Sequence, residues 1–158
     1  MSRELQIVGF KVGRETYGVP IQALHEIVRM PEITAVPDAP PHLEGVINLR
    51  GKIVPVIDLR KRFGESAGVR DRKNRILVVE HRGGLSGLIV DSASEVLKIP
   101  ETEMAPPIAG ASAHFVTGLG KRGAQLIIVV DVERLLGGGQ TSGAAPPAAD
   151  PETKGSPR

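Results

Sequence analysis

The chain of 158 residues carries 20 basic and 18 acidic side chains, and this near balance, a formal charge of +2, does not indicate a nucleic-acid-binding protein. The absence of cysteine excludes a disulfide scaffold, a cysteine-based zinc site and thiol catalysis. One Tyr, three Phe and no Trp leave Val, Ile and Leu to form the core, which favours strands.

The apolar runs are short. The longest, Leu126 to Val130, suits a buried strand and falls far below the roughly 20 residues that span a bilayer. Residues 1–10 lack the basic segment and following apolar stretch of a secretory signal peptide. We therefore expect a cytoplasmic protein with no direct membrane insertion.

The first 31 residues predict short extended segments separated by a turn. Residues 5–12 and 16–21 predict a hairpin around Gly13. Residues 22–30 fit either a short amphipathic helix or a bent strand, and Pro31 ends this segment. A proline-rich loop follows, and we expect a short helix near residues 42–44.

Residues 45–49 and 53–59 predict two strands joined by a turn at Gly51, which permits a positive φ. The apolar residues of 53–57 predict that this second strand is buried. Because Pro55 cannot donate to a ladder, the strand should meet an edge or a bulge there.

The second half begins after an exposed, basic connector at residues 65–73. Further strands are predicted at residues 75–80, 85–90, 93–99, 115–118 and 125–130. The turn at residues 81–84 is typical of a hairpin, and residues 105–112 predict a loop. Asp131 should cap a closing helix over 131–136, and residues 137–158, rich in Gly, Pro and Ala, predict a disordered tail.

Many short strands with regular turns and few helices indicate a barrel or a sandwich. We predict two small barrels of roughly five strands each, the first over about 5–64 and the second over about 74–130. Because units of this size bury little apolar area alone, the two halves should share an apolar core.

One formal motif suggests chemistry, but its context does not fit. Residues 118–123 match G-x-G-x-x-G, and a dinucleotide site would require a helix after them. A predicted strand follows instead, so we interpret the motif as a glycine-rich hairpin turn. The four histidines lack metal-ligand spacing. Asp58, Asp91 and Asp131 each follow an apolar run and are typical of caps or turns. We expect no cofactor, no metal and no enzymatic activity.

Basic groups at residues 60–62 and 70–75 leave a nucleic-acid-binding small barrel as the alternative function. Such barrels stack bases on aromatic platforms, which one Tyr and three scattered Phe do not supply. We therefore favour a solvated basic connector and expect no nucleic-acid partner.

Residues 48–60, N-L-R-G-K-I-V-P-V-I-D-L-R, resemble the signature segment of the CheW-like family, the coupling proteins of bacterial chemotaxis. Residues 17–21 with Glu26 and Ile27 resemble its first hairpin. Residues 87–91, 95–97, 117–120 and 126–136 also fit, so that the resemblance covers about residues 5–136 and makes residues 1–136 the CheW-like domain.

The resemblance implies an all-β fold with a few short helices, in which two intertwined five-stranded SH3-like barrels share an apolar core. It implies a non-catalytic adaptor that links the cytoplasmic tips of methyl-accepting chemoreceptors to the regulatory domain of a chemotaxis histidine kinase. The protein would be cytoplasmic and recruited to membrane receptor arrays.

The resemblance also implies site residues. Arg50 would lie near Glu26 on a partner-binding surface, although support of the turn is an alternative for Arg50, and receptor contact is expected near Val46 and Asn48. Kinase-binding residues would be Val8, Ile21, Leu24, Met104 and Ile108. Core packing is the alternative for Ile21, Leu24 and Val8, and for Val8 it is an equal one. Some relatives have a basic residue at the position of Ala105. This difference makes it uncertain that the loop at 104–114 helps to close a ring of alternating adaptor and kinase domains.

Overall fold

The computed structural model describes residues 3–40, 42–64, 72–107 and 114–136. The strands in these ranges are β1 (Glu4–Val12), β2 (Glu15–Pro20), β3 (Leu24–Arg29), β4 (Leu43–Leu49), β5 (Lys52–Asp58), β6 (Arg75–His81), β7 (Gly84–Val90), β8 (Ser92–Pro100), β9 (Met104–Ala105), β10 (Val116–Arg122) and β11 (Gln125–Val130). The α-helices are α1 (Leu59–Arg62) and α2 (Val132–Leu136), and 3-10 turns lie at Ile21–Ala23 and Glu101–Glu103. Within these ranges, no helix has the length and apolar character needed to cross a membrane.

The strands form two sheets, which confirms the predicted all-β fold. One sheet has six strands in the order β8-β1-β2-β11-β10-β9, and the other has five in the order β3-β6-β7-β5-β4. Most neighbours are antiparallel, but β2 pairs with β11 and β5 with β7 in parallel. Each sheet takes strands from both 5–64 and 74–130, so hydrogen bonding interleaves the two segments of the chain.

Each sheet curls so that its outer strands approach one another. In the five-stranded sheet, Glu26 of the outer strand β3 forms an ion pair with Arg50, which directly follows the other outer strand, β4. In the six-stranded sheet, a Cβ placed on Gly120 of β10 would lie 2.6 Å from Cδ1 of Ile99 on the outer strand β8. Glycine at position 120 therefore permits this close approach of β8 and β10.

A single large apolar cluster connects the two sheets. Val8, Phe10 and Val19 contribute to it from the six-stranded sheet, and Leu77 and Leu88 contribute from the five-stranded sheet. All five are at most 1% exposed. Each sheet also has a smaller cluster of its own. This arrangement gives the two sheets the shared core that the sequence predicts.

The four aromatic residues of the chain form one continuous stack inside the molecule. The ring centroids are 5.9 Å apart for Phe10 and Tyr17, 4.7 Å for Tyr17 and Phe63, and 5.2 Å for Phe63 and Phe115. The Arg62 guanidinium lies 5.1 Å from the Phe115 centroid, at a distance typical of a cation–π contact. The stack joins β1 and β2 to the C-terminal end of α1.

The structure corrects several local predictions. The helix expected near 42–44 is wrong, because Leu43 pairs with Ile57 and begins β4. Leu59 begins α1 and does not end a strand: the Asp58 side chain accepts a hydrogen bond from the Arg60 amide at 2.9 Å and caps the helix. Residues 24–29 form a strand, which decides between the two structures predicted for 22–30.

The hairpin formed by β10 and β11 differs from the prediction in the position of its turn. Gly118 and Gly120 lie inside β10, and the turn of the hairpin is at Gly123, whose φ is 64°. Of the loop predicted at 105–112, Ala105 belongs to β9, while residues 108–113 lie outside the described residues. The predicted tail at 137–158 and most of the connector at 65–73 also lie outside them.

Candidate partner-binding surface

The hairpin between β4 and β5 places Arg50 at its tip. Arg50 and Gly51 both have positive φ values, 50° and 89°, as in the type I′ turns that suit twisted hairpins. The Asn48 side-chain oxygen accepts a hydrogen bond from the Gly51 amide at 2.8 Å. Asn48 therefore supports the turn, and the turn projects the Arg50 side chain from the end of the sheet.

Arg50 forms a two-point ion pair with Glu26. Its Nη1 donates to Oε1 at 3.2 Å, and its Nη2 donates to Oε2. The hydrogen bond from Arg50 lowers the pKa of the Glu26 carboxyl, with the Arg50 charge acting in the same direction. Because the Arg50 side chain is still 66% exposed, most of its surface remains available to a partner.

Two more charged or polar side chains extend this site along β3 and β6. His25 Nε2 lies 3.7 Å from Glu26 Oε2, and His25 Nδ1 lies 3.8 Å from Glu80 Oε2. The Glu80 side chain is 69% exposed. The surface therefore presents an arginine beside two carboxylates and a histidine, a pattern suited to polar recognition.

An exposed apolar strip lies next to the arginine on the outer face of β4 and β5. Val46 pairs with Pro55, and Asn48 pairs with Ile53. Ile53 is 67% exposed, which contradicts its predicted burial. The alternation of Ile53 and Pro55 with buried residues 54 and 56 is the sequence signal that identifies this outward face.

Pro55 occupies a position that needs no amide donor towards β4. The amide and carbonyl of Val46 both bond to Thr34, at 2.9 Å each, and so point away from β5. Val46 and Pro55 are therefore a non-hydrogen-bonded pair. On the other side of β5, the pairing with β7 begins one residue later, at Val56. A bulge in the β4–β5 pairing lies nearby, between Leu43 and Gly45.

The residues predicted to face the kinase fall into different environments. Ile21 and Leu24 are half-buried at the 3-10 turn between β2 and β3, where they pack against the shared core. Both retain exposed surface. Val8 is 1% exposed and belongs to the shared core, so its side chain presents almost no surface to a partner.

The second predicted kinase edge lies at the two-residue strand β9. Met104 is half-buried there and packs against the apolar cluster of the six-stranded sheet. A Cβ on Gly118 or Gly120 would lie 3.1 or 3.2 Å from the Met104 side chain, so these glycines make room for it. Ile108 lies outside the described residues. Met104 therefore lies on a different part of the fold from Ile21 and Leu24.

The carboxylates predicted to be caps or turn formers have such structural contacts. Asp58 caps α1, and Asp131 Oδ1 accepts from the Glu133 amide at 2.8 Å at the start of α2. Asp91 accepts from the Gly13 amide at 2.8 Å and from Arg60 Nε at 2.7 Å. In the described ranges, no group of three or more His, Asp or Glu side chains could hold a metal ion.

A family model described as the CheW-like domain matches residues 6–139. The chain belongs to the CheW-like family. This match confirms the resemblance noted in the sequence, and it covers both sheets and the surface around Arg50.

Relatives and a solved structure agree with this membership of the CheW-like family. The chain is 35% identical over 134 residues to the chemotaxis protein CheW of Helicobacter pylori, covering 84% of this chain and 81% of the relative. It is 35% identical to CheW of Klebsiella aerogenes, over 80% and 78% of the two chains. Protein PilI of Pseudomonas aeruginosa is 30% identical over 71% of this chain and 65% of PilI. The crystal structure of the scaffolding protein TtCheW from Thermoanaerobacter tengcongensis matches with a TM-score of 0.80 and 40% identity, covering 85% of this CheW-like chain and 93% of that one.

Proposed function

We propose that this chain is a non-catalytic adaptor that couples the cytoplasmic tips of chemoreceptors to the regulatory domain of a chemotaxis histidine kinase. The observation that carries the proposal is the match to CheW chemotaxis and scaffolding proteins over nearly all of the described fold. The protein acts in the cytoplasm and joins receptor arrays at the membrane, where many weak contacts add up through multivalency.

The receptor-facing part of this proposal is the surface formed by Arg50, Glu26, Val46, Asn48 and the exposed Ile53. It combines a largely exposed guanidinium with an adjacent apolar strip, and interfaces of modest size are typically built from an apolar centre with a polar rim. Solvent screens an ion pair this exposed, so the pair contributes little to folding, which favours recognition as its role.

The kinase-facing part comprises two edges. Ile21 and Leu24 form the first, where half-buried apolar side chains continue from the shared core to the surface. Met104, on the outer strand of the six-stranded sheet, belongs to the second, together with Ile108, which lies outside the described residues. Two separate edges allow one adaptor to touch two kinase domains, which is the requirement for building a ring.

The alternative of nucleic-acid binding is not favoured. Single-stranded nucleic acids stack on exposed aromatic side chains, but the aromatic residues of this chain stack on one another. Phe10, Tyr17 and Phe115 are buried, at 1%, 8% and 8% exposed, and Phe63 lies between two of them. No aromatic platform faces solvent in the ranges that the structure describes.

A reconstitution tests the proposed adaptor. The purified chain, a chemotaxis kinase and receptors in membranes are combined, and kinase activity and co-sedimentation with the receptors are measured. We expect the kinase to sediment with the receptors only when the chain is present. Failure of the chain to bind either component would contradict the proposal.

Single variants then separate the two surfaces. Arg50→Glu should weaken receptor binding by roughly tenfold or more because it reverses the exposed charge and repels Glu26. Leu24→Ala should weaken kinase binding while leaving receptor binding unchanged. Arg82→Glu is the matched control, since Arg82 is an equally exposed arginine in a second hairpin turn. An equal loss of binding in Arg82→Glu would argue against a specific role for Arg50.

A further inference from the structure

A cavity of about 250 Å³ opens at one end of the six-stranded sheet. Its floor is apolar and includes Phe10 and Leu97. Leu97 belongs to the apolar cluster of this sheet, together with Ile7. Alternation along β1 places Lys11 on the same face as Ile7, but nearer the turn at Gly13. The cavity is therefore the mouth of the curled sheet, a common place for ligand sites in barrels.

The rim of the cavity is cationic. Its polar residues come from five different strands and include no carboxylate: they are Lys11, Thr16, Ser92, Ser94, Arg122 and Gln125. Neither Lys11 nor Arg122 forms an ion pair with any residue in the described ranges. The mouth thus carries two positive charges that the fold itself does not neutralise.

A hydroxyl group on the rim adds a hydrogen-bond donor. Gln125 Nε2 donates to Thr16 Oγ1 at 3.2 Å, which leaves the hydroxyl hydrogen of Thr16 for an acceptor in the cavity. Ser94 Oγ donates its hydrogen to the carbonyl of Gly9 at 2.9 Å, so it shapes the wall and offers the cavity no donor. A ligand rich in acceptor oxygens matches the Thr16 hydroxyl and the two cationic side chains.

The wall beside Ser94 depends on two special backbone features. The pairing of β1 with β8 shifts register between Val8 and Phe10, and such bulges re-aim side chains. A Cβ on Gly9 would lie 2.6 Å from Ser94 Oγ, so only glycine allows Ser94 its position. The cavity wall is thus specifically shaped by the backbone.

Two acidic residues that adjoin the rim in sequence, Asp91 and Glu15, are not among the residues that line the cavity. Asp91, next to Ser92, accepts hydrogen bonds from the Arg60 side chain and the Gly13 amide. Glu15 precedes Thr16 on β2, and alternation puts it on the opposite face of the strand. Among the described side chains that line the cavity, Lys11 and Arg122 are therefore the charged ones.

We propose that this cavity binds a small dianionic oxyanion, phosphate or a phosphomonoester. Phosphate carries about −1.5 to −2 charges at neutral pH and several acceptor oxygens, which match Lys11, Arg122 and the Thr16 hydroxyl. The site is distinct from the surface around Arg50 and Glu26, which lies at the five-stranded sheet. The inference therefore does not rest on the proposed adaptor function.

The test is a titration of the full chain at low ionic strength, followed by amide chemical shifts in NMR spectra. Separate titrations use inorganic phosphate, phosphoserine and succinate. We expect phosphate and phosphoserine to move the amides of Ser92 and Gln125 with saturation. Phosphoserine binding distinguishes an esterified ligand from the free ion, and binding of succinate alone would overturn the assignment to phosphate.

Three variants test the geometry. Lys11→Gln and Arg122→Gln should each weaken phosphate binding by roughly tenfold through loss of a charge-assisted hydrogen bond. Lys121→Gln is the matched control: it removes the same charge from the neighbouring residue on the other face of β10. Thr16→Val, nearly unchanged in shape, should also weaken binding, which keeps the test informative if Arg122→Gln fails to fold. No saturable shifts, or an equal loss in Lys121→Gln, would overturn the proposal.

Discussion

At the scale of single residues, Arg50 adopts a backbone conformation that costs free energy. A non-glycine residue at φ 50° is strained by about 1–2 kcal/mol relative to the right-handed region, and asparagine or glycine is preferred in such turns. Strained residues that persist are candidates for function. Arg82 shares the same strain, at φ 53°, in the turn between β6 and β7.

The two arginine turns allow stability and binding to be separated. Arg82→Asn should raise the free energy of unfolding by about 0.5–1 kcal/mol, because asparagine tolerates a positive φ. Arg50→Asn should raise it by less, since it also removes the pair with Glu26, and should weaken receptor binding. Urea denaturation and a receptor pull-down measure the two effects. Full receptor binding by Arg50→Asn would leave Arg50 with a role in the turn alone.

Two half-buried histidines predict a dependence of stability on pH. Burial is the main cause that lowers the pKa of both His81 and His42 below 6.5. The neutral histidines contribute fully to stability above the pKa of histidine in the unfolded chain, about 6.5. This contribution is lost as the pH falls through their lowered pKa values in the folded protein. We therefore expect the free energy of unfolding to decrease from pH 6.5 downwards, as measured by urea denaturation at several pH values.

Variants at His81 test the cause of this decrease. His81→Gln should make the decrease shallower because it removes one of the two titrating groups. The Glu133 carboxylate, 3.3 Å from His81 Nε2, opposes the effect of burial and raises the pKa of His81. Glu133→Gln should therefore steepen the decrease. An unchanged slope in both variants would mean that other groups control the pH response.

At this scale, the sequence identified Arg50 and Glu26 as neighbours only through the family resemblance. The two residues are 24 positions apart, and no local pattern pairs them. The exposure of Ile53 could have been read from its alternation with Val54, but the run of apolar residues suggested burial. Whether an apolar residue faces solvent depends on which neighbours cover it, and composition does not carry that information.

At the scale of elements, the aromatic stack fixes α1 against the six-stranded sheet. Phe63 is the central ring of the stack, between Tyr17 and Phe115. Phe63→Ala should lower the free energy of unfolding by about 2–3 kcal/mol, because it leaves a cavity between two rings. Phe63→Leu should cost only about 1 kcal/mol, since it refills most of the space. Equal effects of the two changes, measured by urea denaturation, would contradict a packing role.

The strands could be predicted because glycine turns and alternating side chains mark them locally. Of the short elements, α2 could also be predicted, because Asp131 caps it, but α1 and the start of β4 could not. Helix α1 has four residues, too few to show a helical period, and Asp58 resembles the polar end of a strand. The segment at 42–44 follows a proline loop that favours a helix start, yet the pairing of Leu43 with Ile57 makes it a strand. Long-range pairing overrides weak local preference.

At the scale of the whole molecule, the shared core and Asp91 make the two sheets one cooperative unit. Asp91 lies between β7 and β8 and accepts hydrogen bonds from the β1–β2 turn and from α1. Asp91→Asn should lower the free energy of unfolding by about 1–2 kcal/mol through loss of charge-assisted bonds. Lys61→Gln, which removes an exposed pair with Glu44, should cost no more than about 0.5 kcal/mol.

Cooperativity itself is measured by comparing two probes in the same denaturation. Tyr17 fluorescence reports the shared core, and far-ultraviolet circular dichroism reports both sheets. We expect coincident transitions in the parent protein and in Asp91→Asn, because small domains with one core unfold in a single step. Separate transitions in the parent protein would show that each sheet folds independently.

The membership of strands in sheets is the part of the fold that local patterns could not supply. A shared core follows from the small size of each half, but β11 lies beside β2 although more than a hundred residues separate them along the chain. Hydrophobic alternation predicts which face of a strand is buried, but it does not predict which strand pairs with it. Only the family resemblance predicted that strands from the two halves of the chain would interleave.

The insertion of β11 between β2 and β10 has a consequence for biosynthesis. When the ribosome has produced the β1–β2 hairpin, one side of β2 has no neighbour, and it stays open until residues 125–130 emerge. The nascent chain therefore exposes an unpaired strand edge until β11 has been made, and β11 then completes the sheet. Nascent chains arrested before residue 125 should be sensitive to protease and bound by chaperones, whereas chains in which residues 125–130 have left the ribosome should be protected.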